Sequence, residues 1–336
     1  MIIYNGKGES LFNTATVERK PTYIRATGDM GNGDKLTLGF NNCAKNNHLV
    51  FIANIDTFNQ LKVGRDVNYH LLVDSTNIYL YSGTTLKKTY PHGLTIENNI
   101  QVMIVSHATD GNADITLISN GNVFEQKDIV WSWVGCPFAE SVESTMTDCV
   151  LSWTSKDLDA PIWIFGDSYC NINSNARWTH YLIQNGFGAR CMIAQQDGSY
   201  SKTAMQSFRT LIEIGNPKYI IYTLGMNESD ISTAINGGWR EAILKLKTVC
   251  AERGIELILS TTPNVPTYSI HNFKNAFVEE SGFRYIDFAK AVNAEGTDRE
   301  WWDGLLENDG TGVHPTEAGA KVLYMQALAD FPELMG

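Results

Sequence analysis

The sequence predicts two successive folds, an all-β unit followed by an α/β unit built on a parallel sheet. Three observations lead there. From about residue 20 to residue 153, apolar residues recur at every second position and turn residues break the pattern every eight to twelve positions, as in antiparallel strands. After TSKDLDAP (154–161), short apolar runs alternate with amphipathic helical patterns, which argues for parallel strands carrying helices on their faces. The chain has 336 residues, and a single hydrophobic core usually stops growing at about 250 to 300 residues. Two domains are therefore expected, 1–156 and 157–336.

In the first domain the strands read as HLVFIANI from 48, VNYHLLVD from 67, NIYLYSG from 77, IQVMIVSH from 100 and ADITLIS from 113. Asn120-Gly121 between ITLIS and NVFEQ signals a tight hairpin, because both residues tolerate the positive φ of a type I′ turn. These features predict a β-sandwich of jelly-roll or lectin-like type. Its tyrosines in NIYLYSG and tryptophans in WSW (131–133) could face sugar rings, although alternating aromatics in strands usually form cross-strand pairs.

In the second domain the expected strands are IWIF (162–165), CMIA (191–194), YIIYTL (219–224), IELILS (255–260) and RYIDF (284–288). Helical patterns fall near 176–185, 202–213, 235–252, 270–280 and 316–330. No internal repeat or low-complexity segment is present.

Composition narrows the function classes. A balance of 26 basic against 37 acidic side chains, net charge −11, disfavours phosphate backbones and anionic membrane surfaces, so no nucleic-acid partner is expected. No apolar run is long enough to span a bilayer. The opening MIIYNGKGESLF lacks the pattern of a secretory leader. The expectation is a cytoplasmic protein, or a secreted one whose leader has been removed. Six cysteines at 43, 136, 149, 170, 191 and 250 show neither CxxC nor Cys/His spacing for zinc, so free thiols and no metal are expected. Only Cys136 and Cys149 lie close enough in sequence to suggest a disulfide.

An α/β sheet gathers the loops after its strands at one edge, so the strand ends are where chemistry is sought. The first ends in Gly166-Asp167-Ser168, the second in QQDGSYS with Gly198, and the third in LGMNE with Gly225 and Asn227. The last loop, NDGTGVHPTEAGA, places His314 before the final helix. Acyl transfer by serine needs a hydroxyl, a base, and donors for the oxyanion. Ser168, His314, the Gly198 N–H and the Asn227 amide supply that set. The G-x-S-x-G elbow of α/β-hydrolases is absent, since residue 170 is Cys. Asp167 reads as a turn stabiliser, Cys170 as packing, Thr316 as a helix cap, and Glu228 and Asp287 as solvated carboxylates. Trp301-Trp302 is expected either to wall a substrate pocket or to pack a loop over the sheet.

The blocks FGDSY, DGSYS, LGMNE and VHPTEAG, in that order over residues 165–319, resemble those of the SGNH, or GDSL, hydrolase superfamily. The resemblance covers roughly the carboxyl-terminal half. It implies a flavodoxin-like three-layer α/β/α fold, serine esterase or related acylhydrolase activity, and no cofactor. It assigns Ser168 as nucleophile, His314 as base, and the N–H groups of Ser168 and Gly198 with the Asn227 amide as oxyanion donors. The family usually carries an aspartate three residues before the histidine, where this chain has Thr311. Either Asp309, five residues before His314, orients the imidazole, or a backbone carbonyl does so in a Ser-His dyad. An all-β domain before such a unit resembles some bacterial carbohydrate esterases. The resulting expectation is an esterase acting on O-acetyl groups of carbohydrate. The alternatives are a catalytically impaired carbohydrate-binding protein, a lipase or thioesterase, and an acyltransferase.

Overall fold

The computed structural model describes residues 16–20, 23–38, 47–65, 69–107, 112–131, 137–172, 174–228, 238–268, 271–294, 300–307 and 312–336, the side chains of 16–20, 206, 207 and 210 aside. The chain divides into two compact units, Met1–Lys156 and Asp157–Gly336.

The first unit is all-antiparallel. One sheet has seven strands in the order β1 (Thr16–Lys20), β2 (Tyr23–Thr27), β13 (Thr145–Ser155), β4 (Asn47–Thr57), β9 (Asn99–Ser106), β10 (Asn112–Ser119), β11 (Asn122–Val130). The other has six: β3 (Lys35–Thr37), β12 (Pro137–Val142), β5 (Gln60–Arg65), β6 (Tyr69–Val73), β7 (Asn77–Ser82), β8 (Thr85–Pro91). Asn120 (φ 51°) and Gly121 (φ 77°) turn between β10 and β11 with Ser119 opposite Asn122, the hairpin that their sequence predicts. Inward residues such as Leu49, Phe51, Ile104, Leu117 and Leu151 are buried, giving the alternation its physical cause. Arg65 is also fully buried, its Nη2 donating to Asn47 Oδ1 at 2.6 Å. Tyr79 donates its hydroxyl to Asp74 Oδ2 at 2.9 Å, and Tyr81 stacks on His70 with ring centroids 5.2 Å apart. The tyrosines of NIYLYSG thus take the local-pairing role, and Trp131 is buried.

The second unit has one parallel sheet of five strands, β14 (Ile162–Gly166), β15 (Cys191–Gln195), β16 (Tyr219–Tyr222), β17 (Glu256–Ser260) and β18 (Tyr285–Ile286), in the spatial order β15-β14-β16-β17-β18. Strands β14 and β15 are buried throughout, so they read as continuous apolar runs rather than alternating ones. Among the described residues, five longer helices connect and follow them: Trp178–Gln184, Ser201–Ile214, Trp239–Arg253, Asn272–Glu280 and Glu317–Asp330. Two strands are shorter than their apolar runs suggest. Tyr219–Tyr222 stops before Thr223, and RYIDF contributes only Tyr285–Ile286, because the Asp287 carboxylate caps a helix at Phe288–Val292 that its own sequence does not announce.

The order matters for the site. The chain leaves β14 to form β15 on one side, then crosses to form β16 on the other, so the connections diverge at the carboxyl end of β14, the switch point at which open α/β sheets place their ligands. Ser168 lies two residues beyond that end. The strand is anchored by large side chains: Phe165 stacks on Phe208 with centroids 4.0 Å apart and planes 6° apart, both fully buried. Truncating a buried phenylalanine typically costs about 3–5 kcal/mol. Phe165→Ala is accordingly expected to destabilise the unit 157–336 by that amount in urea unfolding followed by tryptophan fluorescence. A loss below about 1 kcal/mol would contradict this packing.

Candidate active site

Strand β14 ends in a tight turn that only glycine permits. A Cβ on Gly166 would collide with Cys170 Sγ and lie 2.7 Å from Cys170 Cβ and 2.8 Å from Thr223 Oγ1. The chain then folds into a single 3-10 turn, Ser168–Cys170, capped by Asp167, whose Oδ1 accepts the Tyr169 N–H at 3.0 Å. Arg177 Nε donates to the Ser168 carbonyl at 2.7 Å. The backbone of Ser168 is thus fixed from both sides.

The hydroxyl of Ser168 meets His314 across 146 residues of sequence, with Oγ 3.0 Å from Nε2. His314 is held by its own loop. The Glu307 N–H donates to the His314 carbonyl at 2.9 Å, and the Thr316 N–H to the Leu305 carbonyl at 2.8 Å. Thr316 caps the last helix, its Oγ1 accepting the Gly319 N–H at 3.1 Å, as its sequence position predicts. From the other side Tyr169 donates its hydroxyl to the Val313 carbonyl, and its ring lies 6.1 Å from the imidazole. The residue after Ser168 therefore ties down the residue before His314. Asp309 and Thr311 lie outside the described residues.

The two other blocks are linked to each other and to β14. Gly198 adopts φ +68°, a left-handed conformation, and nothing lies within 4 Å of the position a Cβ would take. What requires glycine here is backbone conformation, with open space over the peptide. Its turn is held by the Gln196 N–H donating to the Gly166 carbonyl at 3.0 Å and by Asn171 Nδ2 donating to Asp197 Oδ2 at 2.8 Å. Asn227 Nδ2 donates to the Ser199 carbonyl at 3.2 Å. An amide nitrogen carries two hydrogens, so this bond fixes the group and leaves one N–H to serve another acceptor.

Glu228 departs from the solvated role expected of it. It is fully buried, with Oε1 accepting the Ser201 N–H at 2.5 Å, and burial raises its pKa against the pull of that N–H and of Lys274. Asp167 is fully buried too. Burial, opposed by the N–H groups of Tyr169, Met226 and Gly225 and reinforced by Glu228, pushes its pKa up to about 6. The amides of Gly225 and Met226 direct their dipoles at this carboxylate without closing a hydrogen bond on Oδ2. Two further polar residues, His271 and Lys274, are fully buried, and burial with the Lys274 charge lowers the His271 pKa to about 3. Sequence reading missed this cluster. Positions 271, 274, 275 and 278 form the inward face of their helix, but the first three are His, Lys and Asn, so the helical period carries no apolar signal there.

Cys170 is buried, with Sγ 3.1 Å from Thr223 Oγ1 and its thiol pushed up to about 12 by burial, which fits the packing role. Trp301 is buried, donating its indole N–H to the Asn264 carbonyl at 2.8 Å. Trp302 is half exposed and lines a cleft of about 670 Å³ with Asn264, Asn272, Asn293, Glu279 and Lys290 among others. Asp287 caps the helix Phe288–Val292 and accepts from Thr261 Oγ1 at 3.0 Å. Among the described residues no three His, Cys, Asp or Glu side chains are grouped to hold a metal ion, and no helix is long and apolar enough to cross a membrane. Cys149, Cys170, Cys191 and Cys250 are free and buried.

No protein-family model matches the chain, and no curated protein matches it. Solved structures similar to it are SGNH/GDSL hydrolases and a carbohydrate esterase. A GDSL-like lipase from Bacteroides thetaiotaomicron VPI-5482 is 14% identical over 54% of this chain and 90% of that one, with a TM-score of 0.40. TesA is 16% identical over 52% of this chain and 98% of that one, TM-score 0.38. A family two carbohydrate esterase from Clostridium thermocellum, in complex with cellohexaose, is 11% identical over 95% of this chain and 97% of that one, TM-score 0.39. These scores lie below 0.5, so the roles assigned below rest on the geometry of this chain.

The raised pKa of Asp167 has a definite sign. Between the ordinary aspartate value of 3.8 and about 6 the folded state binds a proton that the unfolded state has released. Stability from this group is therefore present at low pH and is lost as pH rises through about 6, by roughly 3 kcal/mol in total. Urea unfolding at pH 4.5 and 7 is expected to show a shallower loss of stability across this interval in Asp167→Asn than in the wild type. Parallel profiles for the two proteins would refute the assignment.

Proposed function

We propose that the chain is a two-domain serine esterase of the SGNH, or GDSL, type, with a β-sandwich domain at 1–156 and a flavodoxin-like three-layer hydrolase domain at 157–336. One observation carries the reading: Ser168 Oγ and His314 Nε2 are 3.0 Å apart, at the carboxyl end of the strand where the sheet order reverses. A hydroxyl becomes a nucleophile at neutral pH only when a base within hydrogen-bond reach takes its proton.

In the proposed reaction Ser168 Oγ attacks the ester carbonyl carbon while His314 Nε2 accepts the hydroxyl proton. The charge that develops on the carbonyl oxygen is met by the N–H groups of Ser168 and Gly198 and by the remaining Asn227 amide hydrogen. When the tetrahedral intermediate collapses, the bond to the leaving alcohol breaks and His314 returns the proton to that oxygen. Water, deprotonated by His314, then attacks the acyl carbon; the bond from that carbon to Ser168 Oγ breaks, His314 returns the proton to Oγ, and the acid leaves as its carboxylate. The scheme balances without a cofactor. Asp309 is assigned the role of holding the Nδ1 proton of His314; a backbone carbonyl in that role makes the site a Ser-His dyad.

Within this reading the substrate class we favour is an O-acetyl ester of carbohydrate. Gly198 presents open backbone, which leaves room for a small acyl group to approach its N–H.

Hydrolysis of p-nitrophenyl acetate, butyrate and octanoate tests the reading. Acetate is expected to be the best substrate, and Ser168→Ala and His314→Ala are each expected to lower kcat by about 10³-fold or more. Asp309→Ala separates triad from dyad: a loss approaching 10⁴-fold marks an orienting acid, and a small one a carbonyl. Preference for octanoate would indicate a lipase or thioesterase, and acylation of an added sugar alcohol an acyltransferase. A folded protein without Ser168-dependent turnover would leave the carbohydrate-binding alternative.

A further inference from the structure

Behind the loop Leu224–Glu228, which carries Asn227, lies a lysine that solvent does not reach. Lys274 is fully buried, and its Nζ donates to the carbonyls of Gly225 and Glu228, the latter at 2.7 Å. Beside it Trp239 Nε1 donates to the Leu224 carbonyl at 3.0 Å, with Lys274 Nζ 5.9 Å from the Trp239 ring centroid. Three carbonyls in five residues are thus held by one cluster of donors. The N–H groups of Gly225 and Met226 are directed instead at the Asp167 carboxylate. The peptide joining Gly225 to Met226 lies between an ammonium at its oxygen and a carboxylate at its nitrogen.

The conformation is one that only glycine permits at this position. Gly225 has φ +151°, and a Cβ there would lie 2.7 Å from Thr262 Oγ1 and 3.1 Å from Trp239 Nε1. A buried ammonium is also a costly way to fill space, since an apolar side chain of similar volume avoids its desolvation. The bonds to Gly225 and Glu228 give that cost a use. They set the backbone on both sides of Asn227, and Glu228 Oε1, by accepting the Ser201 N–H, ties the loop to the segment following Gly198.

We propose that Lys274 is a positioning residue for the oxyanion site, holding the Gly225 and Glu228 carbonyls so that the second Asn227 amide hydrogen is aimed at the acyl oxygen. The proposal rests on the serine esterase reading.

Lys274→Met keeps the length and burial of the side chain and removes its donors. It is expected to lower kcat for p-nitrophenyl acetate by about 10- to 100-fold, a fraction of what losing an oxyanion donor costs, with KM unchanged within about twofold. In an Asn227→Ala background the same change is expected to cost less than about twofold, because the group it positions is gone. An equal loss in both backgrounds, or a loss confined to KM, overturns the proposal. Should Lys274→Met not fold, Lys274→Gln, which keeps a neutral donor, is expected to give a smaller loss with the same dependence on Asn227. Hydrogen exchange gives a readout independent of turnover. The amides of Gly225 to Asn227 are expected to exchange at least about tenfold faster in the variant, and unchanged exchange overturns the clamp. A wild type without Ser168-dependent turnover would sink the esterase reading, while exchange would still decide whether Lys274 holds the loop.

Discussion

Asp167 accepts the Tyr169 N–H from a position that water does not reach, and the geometry around Ser168 follows from that bond. The carboxylate closes the turn after β14, which sets the direction of the Ser168 side chain. The N–H groups of Gly225 and Met226, in the loop bearing Asn227, favour its charged form and oppose the rise that burial causes in its pKa. Tyr169, whose N–H it binds, extends its hydroxyl to the Val313 carbonyl next to His314. One acid thus lies beside, directly or through one intermediary, the segments that carry Ser168, His314 and Asn227. Its position is unfavourable for a charge, as the raised pKa records. A site assembled from distant loops has to meet such a cost somewhere, because each loop alone would relax.

Much of this was legible in the chain. Parallel strands buried on both faces must be apolar at every position, so IWIF and CMIA announce themselves, and a glycine or hydroxyl after such a run stands out. The placement of Ser168 and His314 was readable because both border unmistakable elements: Ser168 follows a buried strand, and His314 precedes a capped helix. Asn120-Gly121 declared its hairpin because only a few residue pairs accept two positive φ angles in succession.

What escaped reading was polar and buried. Glu228, His271 and Lys274 are the residue types that sequence reasoning assigns to the surface, and the interior placement of Glu228 and Lys274 depends on backbone partners 27 to 49 residues away. Hydrophobic periodicity is blind to such groups, since they are held by hydrogen bonds to distant backbone instead of by avoiding water. The helix Phe288–Val292 was missed for a different reason. It is short, and its start is fixed by the Asp287 carboxylate accepting the Lys290 N–H, a tertiary arrangement more than a propensity. In the first unit, strands such as Gln60–Arg65 and Pro137–Val142 include polar or small residues at positions that the sheet nevertheless buries, so their alternation was weak.

The thiol of Cys170, two residues beyond Ser168, has a bearing on the conditions under which the site survives. With a pKa near 12 only about one such thiol in 10⁵ is ionised at neutral pH, and the thiolate is the form that peroxide and alkylating agents attack. Burial raises the thiols of Cys149, Cys191 and Cys250 to similar values. The Cys170 thiol beside the turn therefore stays protonated at neutral pH, and reagents that need a thiolate find little to attack there.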